Sequence, residues 1–341
     1  MSSPAPVVVS DAPRSVAVCI CTYERPLGLA RCLASLERLE TPGIADDAIR
    51  IVVVDNAAGG SAEGLVAAHA TRSRYRVTYV HERAKGLTRA RNAALAAVRA
   101  GGEDALAFID DDEAAVPGWL AALRDAMVRT GAPAAVGPVY PVFEERPPEW
   151  AVRGGFFALV DPPGARFAEE GRSGNVMMSC AELARAGVAF DTAFNELGGE
   201  DTAFFRALRA RGWRLAVAHE AIIHEWVPPR RVAVAWLAQR WYRTGAVEAR
   251  TQRRAYNTGS GRATALARGL VRLGAGGVLA AGSALAFGWR DASRPLRRLS
   301  TLARGGGLVA SAFGYERREY ARPQVEARQE TRPETRPELR P

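Results

Sequence analysis

The chain has 341 residues and a hydrophobic fraction of 48%, enough for one large domain with an appendage and unlike the composition of a disordered or fibrous polypeptide. Its formal net charge of +9 is uneven: residues 228–341 carry 22 basic and 8 acidic side chains, whereas residues 1–227 carry 24 basic and 29 acidic. A basic surface around the whole molecule is excluded, no nucleic-acid partner is expected, and since Lys85 is the single lysine, part of the charge is a compositional habit for Arg.

The first residues, "MSSPAPVVVSDAPRS", lack the basic start and apolar core of a signal peptide, so residues 1–14 are expected to be a flexible N-terminus and the following body to be cytoplasmic. "SVAVCICTY" (15–23) is a short β-branched run, and "RPLGLARCLASLERL" (25–39) follows with helical spacing. "IRIVVVDNA" (49–57), "RVTYVHE" (76–82) and "ALAFIDDD" (105–112) read as further strands, with helices expected over 61–73 and 87–100. Strands alternating with helices of this length predict an α/β fold with a mostly parallel sheet covered on both faces. Beyond residue 134 the pattern is mixed: "AAVGPVYPVF" is strand-like, 175–187 is strand into helix, and 198–226 gives a helix from Glu200, a stop at Gly212 and a last strand. Long Arg-rich helices follow from 228, and "RPQVEARQETRPETRPELRP" (322–341) has almost nothing to bury, so it is expected to be disordered. Cys19, Cys21, Cys32 and Cys180 show no C-x-x-C pairing and read as small apolar residues in a reducing compartment.

Ligands of parallel α/β sheets bind beyond the carboxyl ends of the strands. Thr22-Tyr23-Glu24-Arg25, Asp55-Asn56 and Asp110-Asp111-Asp112 all fall at such ends, so three polar clusters are expected on one rim. Adjacent aspartates repel, which a solvated turn tolerates and a bound cation relieves. If the strand runs through the triplet, Asp110 and Asp112 share one face and can hold a hard divalent cation, Mn²⁺ or Mg²⁺, whose remaining ligands come from water and substrate phosphates.

The motifs "CICTYERP", "VVVDNA", "KGLTRARNAAL", "FIDDDE" and "GGEDTAFFRALRARGW", in this order over about 15–245, resemble the family 2 inverting glycosyltransferases, whose nucleotide-sugar-binding domain has the GT-A fold. The resemblance implies a metal-dependent enzyme that moves a sugar from a nucleoside-diphosphate sugar, most commonly a UDP-sugar, to an acceptor hydroxyl. It implies that Asp55 binds the nucleobase, that Thr22, Tyr23 and Arg25 pack on base and pyrophosphate, and that Asp110 and Asp111 contact the donor. It makes Asp112, with Asp110 and His224, the metal site. It assigns Asp201 as general base and Glu200 as its neighbour at the acceptor. Gly86 frees the backbone before a helix N-terminus, a natural phosphate locus, and Arg91 or Arg89 is placed to pair with the diphosphate. "RALRARGW" lacks the Gln of a Q-x-x-R-W element and carries Gly212, which argues against a processive polysaccharide synthase.

A nucleotidyltransferase, the main rival, needs a Gly-rich basic loop after its first strand, where this chain has "TYERPLG" with one glycine. A Rossmann dehydrogenase needs G-x-G-x-x-G there. A non-catalytic binder of the same fold would be expected to lack Asp112 or Asp201. The catalytic domain is therefore set at 15–227. In the Arg-rich region 228–321, the uncharged stretch 273–289 and the apolar 308–315 are flanked by arginines. Seventeen residues fall short of a bilayer at about 1.5 Å rise per residue, so a shallow helical hairpin against the inner face of the cell membrane, serving a saccharide or lipid-linked saccharide acceptor, is expected ahead of a span. The alternative is a soluble helical subdomain whose Gly/Ala face packs on the catalytic sheet or on a second subunit.

Overall fold

The computed structural model describes residues 5–9, 11–195, 198–256, 259–287 and 292–315. The expected alternation is present as β1 (Val16–Thr22), α1 (Pro26–Leu36), β2 (Ile49–Asp55), α2 (Glu63–Ala70), β3 (Arg76–His81), α3 (Leu87–Gly101) and β4 (Ala105–Asp110). After these come β5 (Glu113–Ala115), α4 (Trp119–Thr130), β6 (Ala134–Val136), β7 (Val139–Phe143), α5 (Glu149–Gly154), β8 (Asn175–Ser179), α6 (Cys180–Ala186), α7 (Glu200–Arg209), β9 (Leu215–Val217) and β10 (Ile223–Val227).

Seven strands form one sheet in the order β3-β2-β1-β4-β8-β6-β9. Only β8 runs antiparallel to its neighbours. Both faces are covered, which is why β1 and β2 are apolar along nearly their whole length. Val16, Val18 and Ile20 pack with Leu29, Leu33 and Leu36 of α1. Ala17 and Cys19 face the other way, toward Ala90, Ala94 and Val98 of α3. This is the mostly parallel, helix-flanked α/β architecture that the sequence predicts.

Two expected single strands are each divided. Gly137-Pro138 splits "AAVGPVYPVF" into β6 of the large sheet and β7 of a second, three-stranded sheet ordered β5-β10-β7, because the proline has no N–H to continue a ladder. The last expected strand is β9 in the large sheet and then β10 in the small one. Asn175 on β8 ties the two sheets together. Its fully buried side chain accepts from Trp119 Nε1 at 2.8 Å and donates to the carbonyls of Pro138 at 3.0 Å and Ala221 at 2.8 Å. Asn175→Ala would leave these three groups unsatisfied and should cost roughly 3 kcal/mol, read as a lowered denaturant midpoint at constant m-value.

The appendage consists of α8 (Val234–Tyr256), α9 (Gly259–Phe287) and α10 (Ser293–Ala312), with α10 packed against both other helices. Small residues let the backbones approach: Gly307 lies on the Tyr242 carbonyl, Gly245 on that of Arg304, and Gly276 on Leu302. A cluster of Ala151, Phe157, Val227, Leu237, Trp241 and Leu296 joins α8 and α10 to the body. Within the N-terminus expected to be flexible, residues 5–9 lie along the body, Val7 N–H donating to Gly212 O at 3.1 Å and Val9 N–H to Gly131 O at 2.9 Å. The tail 322–341 lies outside the described residues.

Candidate active site

Register puts the polar groups on one rim, since Thr22 stands beside Asp55 and Cys21 beside Asp110 in parallel pairing. Above this edge opens a cleft of about 580 Å³, lined by Thr22, Tyr23, Arg25, Asn56, Lys85, Gly86, Arg91, Asp110, Asp111, Asp112, Asn195, Glu200, Glu225, Arg231, Trp236, Arg240 and Arg243 among others.

The aspartate triplet does not run extended. β4 ends at Asp110, and 111–112 form a turn into β5, so the expected alternation of faces fails there. One guanidinium nitrogen, Arg25 Nη1, reaches both Asp111 Oδ1 at 3.1 Å and Asp112 Oδ2 at 3.0 Å. Asp111 is buried and also accepts from Thr22 Oγ1 at 2.8 Å, so it organises the loop. Gly28 is required beside it, because any Cβ there would press on the Asp111 carbonyl. Asp110 is the more open acid, 40% exposed, with Arg91 Nη2 at 3.6 Å.

The loop before α3 is clamped from both sides. Asn56 donates to the carbonyls of Glu82 and Ala84 at 2.8 and 2.9 Å and accepts from Gly86 N–H at 2.6 Å. Asn195 donates to Lys85 O at 2.9 Å and accepts from Thr88 Oγ1 at 2.8 Å. Gly86 has φ +141°, a conformation for glycine, and a Cβ there would collide with Asn195. Lys85 Nζ lies 5.0 Å above the ring of Tyr23, the aromatic face expected for the donor, so a charge that the sequence reading does not assign to the site meets it here.

Across the cleft, α7 begins with Glu200 and Asp201. Glu200 is buried and ion-paired with Arg91, which is itself buried over Phe190. Burial alone would lower the Arg91 pKa, but Glu200, Asp110 and Asp201 raise it, so the guanidinium is a fixed cation. Of the two arginines, Arg91 lines the cleft and Arg89, which is exposed, does not. Asp201 is half-buried and accepts from Thr202 N–H at 2.6 Å. Burial and the neighbouring Glu200 charge push its pKa up to about 6.

Three expected site residues are absent from the cleft lining: Asp201, which stands next to Glu200 in the first turn of α7, Asp55 and His224. Asp55 is fully buried, and its oxygens are taken by Ala57 N–H at 2.9 Å, Ala62 N–H at 2.7 Å and Tyr79 Oη at 3.1 Å, so it shapes the 56–62 loop and does not line the cleft. His224 is also absent from the lining. Alternation along β10 turns it away with Trp226, whose ring is covered by Arg31 at 4.2 Å, and brings Glu225 into the cleft. Glu225 pairs with Arg231 at 2.9 Å, and Arg231 also reaches Asp112 at 3.4 Å. Missed by sequence reading were Glu225, Arg231 and the α8 residues Trp236, Arg240 and Arg243; a period-two count from Ile223 would have selected Glu225.

The electrostatics are crowded in both signs. Burial, then neighbouring carboxylates, push Asp111 and Glu225 up to about 7 and raise Asp110 and Glu113 as well. Arg240 is lowered by burial and by nearby Arg231 and Arg304, against the pull of Glu225. Acids held above their ordinary range gain from an added cation, and crowded arginines gain from an added anion. Among the described residues no cluster of three His, Cys, Asp or Glu side chains is preassembled for a metal, and Asp112 carries two arginines. The hard carboxylate oxygens nevertheless suit Mn²⁺ or Mg²⁺ when phosphate oxygens complete the set.

The helix-flanked α/β sheet, with carboxylates and basic side chains gathered in a cleft at its carboxyl edge, is compatible with a glycosyltransferase, and comparison with known proteins identifies one. The model of the family described as glycosyl transferase family 2 matches residues 17–184. The succinoglycan biosynthesis protein ExoM of Rhizobium meliloti (strain 1021) is 34% identical over 231 residues, covering 68% of this chain and 73% of that protein. Among solved structures, the mannosyltransferase PcManGT from Pyrobaculum calidifontis, in complex with GDP-Man and Mn²⁺, superposes with a TM-score of 0.57 at 20% identity, covering 93% of this chain and 92% of that one. The chain belongs to the family 2 glycosyltransferases, and its fold is of the GT-A type.

Proposed function

We propose that this enzyme moves one sugar from a nucleoside-diphosphate sugar to a saccharide hydroxyl in exopolysaccharide assembly, with inversion at the anomeric carbon and with a divalent cation in the donor site. The carrying observation is the pairing, in one cleft, of a carboxylate cluster that includes Glu200 with a basic set, Asp201 standing next to Glu200 at the start of α7. A metal diphosphate offers the crowded carboxylates a cation and the arginines an anion at once. Asp112, Asp110 and Glu225 would hold Mn²⁺ or Mg²⁺, which supplies Lewis-acid stabilisation of the departing diphosphate. The ExoM relationship supports a polysaccharide acceptor.

Lys85, Arg91, Arg240 and Arg243 orient the diphosphate, and Tyr23 offers a ring to the donor. Asp201 takes the proton from the acceptor hydroxyl as that oxygen bonds to the anomeric carbon and the carbon–phosphate oxygen bond breaks, releasing the nucleoside diphosphate. Attack opposite the leaving group inverts the centre. Incubating the chain with Mn²⁺ and a panel of UDP-, GDP- and dTDP-sugars, with a saccharide acceptor, should release the nucleoside diphosphate from one donor and give a product of opposite anomeric configuration by proton NMR. Retained configuration, or no release from any donor, would reject the reading.

The base must be ionised to act, and its pKa is raised to about 6. Log kcat should therefore rise with slope near one below about pH 6 and level off above it, and the limb should disappear in Asp201 variants. A flat profile between pH 5 and 7 would place the proton elsewhere.

A further inference from the structure

We infer that the outward face of α9 docks on anionic phospholipid, with the helix lying in the plane of the membrane surface. The buried stripe of α9, Gly261, Ala265, Gly269 and Gly276, faces α10. The opposite side is open: Leu270, Val271, Val278, Leu279 and Leu285 are 55%, 69%, 74%, 46% and 88% exposed. From 270 to 286 the exposed positions described are all Leu, Val, Ala or Gly, and the polar Arg272 is turned aside to Glu248 at 2.6 Å. At about 1.5 Å rise per residue this is an apolar strip some 24 Å long, beyond what a soluble monomer ordinarily shows to water.

Charge identifies the occupant. Residues 259–315 contain eight arginines and one aspartate, with no lysine or glutamate. A second copy would set this charge against itself, whereas an anionic bilayer complements it. Arg268 is exposed one turn before the strip. Because α9 and α10 pair antiparallel, exposed Arg297 and Arg298 stand near its far end. By length and apolar composition Gly261–Ser283 could cross a bilayer. Spanning would however drag in α10, whose exposed arginines and whose Leu296 anchor on the body hold it outside. An in-plane helix meets both demands, as an amphipathic interfacial helix does. The α8 helix that supports α10 also carries Trp236, Arg240 and Arg243 into the cleft, which suits a lipid-linked acceptor if the proposed function holds.

Vesicle flotation of the full chain tests this. Wild type should bind phosphatidylglycerol/phosphatidylcholine vesicles at low salt, bind pure phosphatidylcholine weakly, and be released by salt. The triple variant Val271→Glu/Val278→Glu/Leu285→Glu, altered only at exposed positions, should bind at least ~10-fold more weakly while its circular dichroism is unchanged. Arg297→Gln/Arg298→Gln should reduce binding and flatten its salt dependence. The inference is overturned by any of three results. These are absence of wild-type binding to the anionic vesicles, binding of the triple variant equal to wild type, and a wild-type dimer in light scattering that the triple variant dissolves. Resistance to alkaline extraction would likewise replace docking by a span. Vesicle binding requires no donor sugar, so it can fail or succeed independently of the transferase reading.

Discussion

Replacing Asp201 by Ala should lower kcat by about 10³-fold while leaving nucleoside-diphosphate affinity within a factor of about three, because a general base contributes to the transition state and not to donor binding. The placement separates these roles. Asp201 sits in the first turn of α7, where its one described side-chain acceptor bond to backbone is local, to Thr202 N–H, whereas its neighbour Glu200 holds the buried Arg91. Removing Asp201 breaks no long-range hydrogen bond, and relief of its repulsion with Glu200 offsets the loss of its attraction to Arg91, so the variant should fold with stability near that of wild type. Glu200→Ala differs in kind: it strands a buried guanidinium, and should lower both stability and donor affinity. Single-turnover rates and calorimetric titration of the diphosphate separate the two. Wild-type turnover in Asp201→Ala would remove Asp201 from the chemistry.

Asp112→Asn should weaken diphosphate binding in Mn²⁺ by about 10- to 100-fold or more. Asp112 is the acid that bridges β4's turn to Arg25 and Arg231, with β10 joined to it through Trp226 N–H on its carbonyl at 3.0 Å. Loading a cation requires those arginines to exchange their carboxylate partner, and an incoming diphosphate offers them a replacement. Mn²⁺ and diphosphate should accordingly bind with positive coupling, each tightening the other by the same factor. Equal Mn²⁺-dependent affinity in wild type and Asp112→Asn would exclude the triplet from the donor site.

Residues 15–110 were legible because each strand is an apolar run ended by a polar cluster, and parallel register then aligns those ends without further information. Asp110, Asp111, Asp112, Thr22, Tyr23, Arg25, Gly86, Arg91 and Glu200 all line the cleft as expected. What escaped depended on non-local geometry or on a single residue of register. His224 and Glu225 are adjacent in sequence, but a strand sends them to opposite faces. Asp55 looked available because its partners are the backbone amides of Ala57 and Ala62, which composition does not reveal. The Arg91–Glu200 pair spans 109 positions. Arg240 and Arg243 belong to a region read for Arg-rich helices and membrane contact, and the packing of α8 through Leu237 and Trp241 turns part of its charge into the cleft.

The most direct test titrates UDP, GDP and dTDP into wild-type protein by calorimetry, once with Mn²⁺ and once with EDTA. One nucleoside diphosphate should bind at a single site with Kd between roughly 1 μM and 1 mM, the range over which enzymes commonly hold their substrates, and the heat should vanish in EDTA. No binding of any diphosphate with the metal, or the same affinity without it, would contradict a cleft built to receive a metal diphosphate.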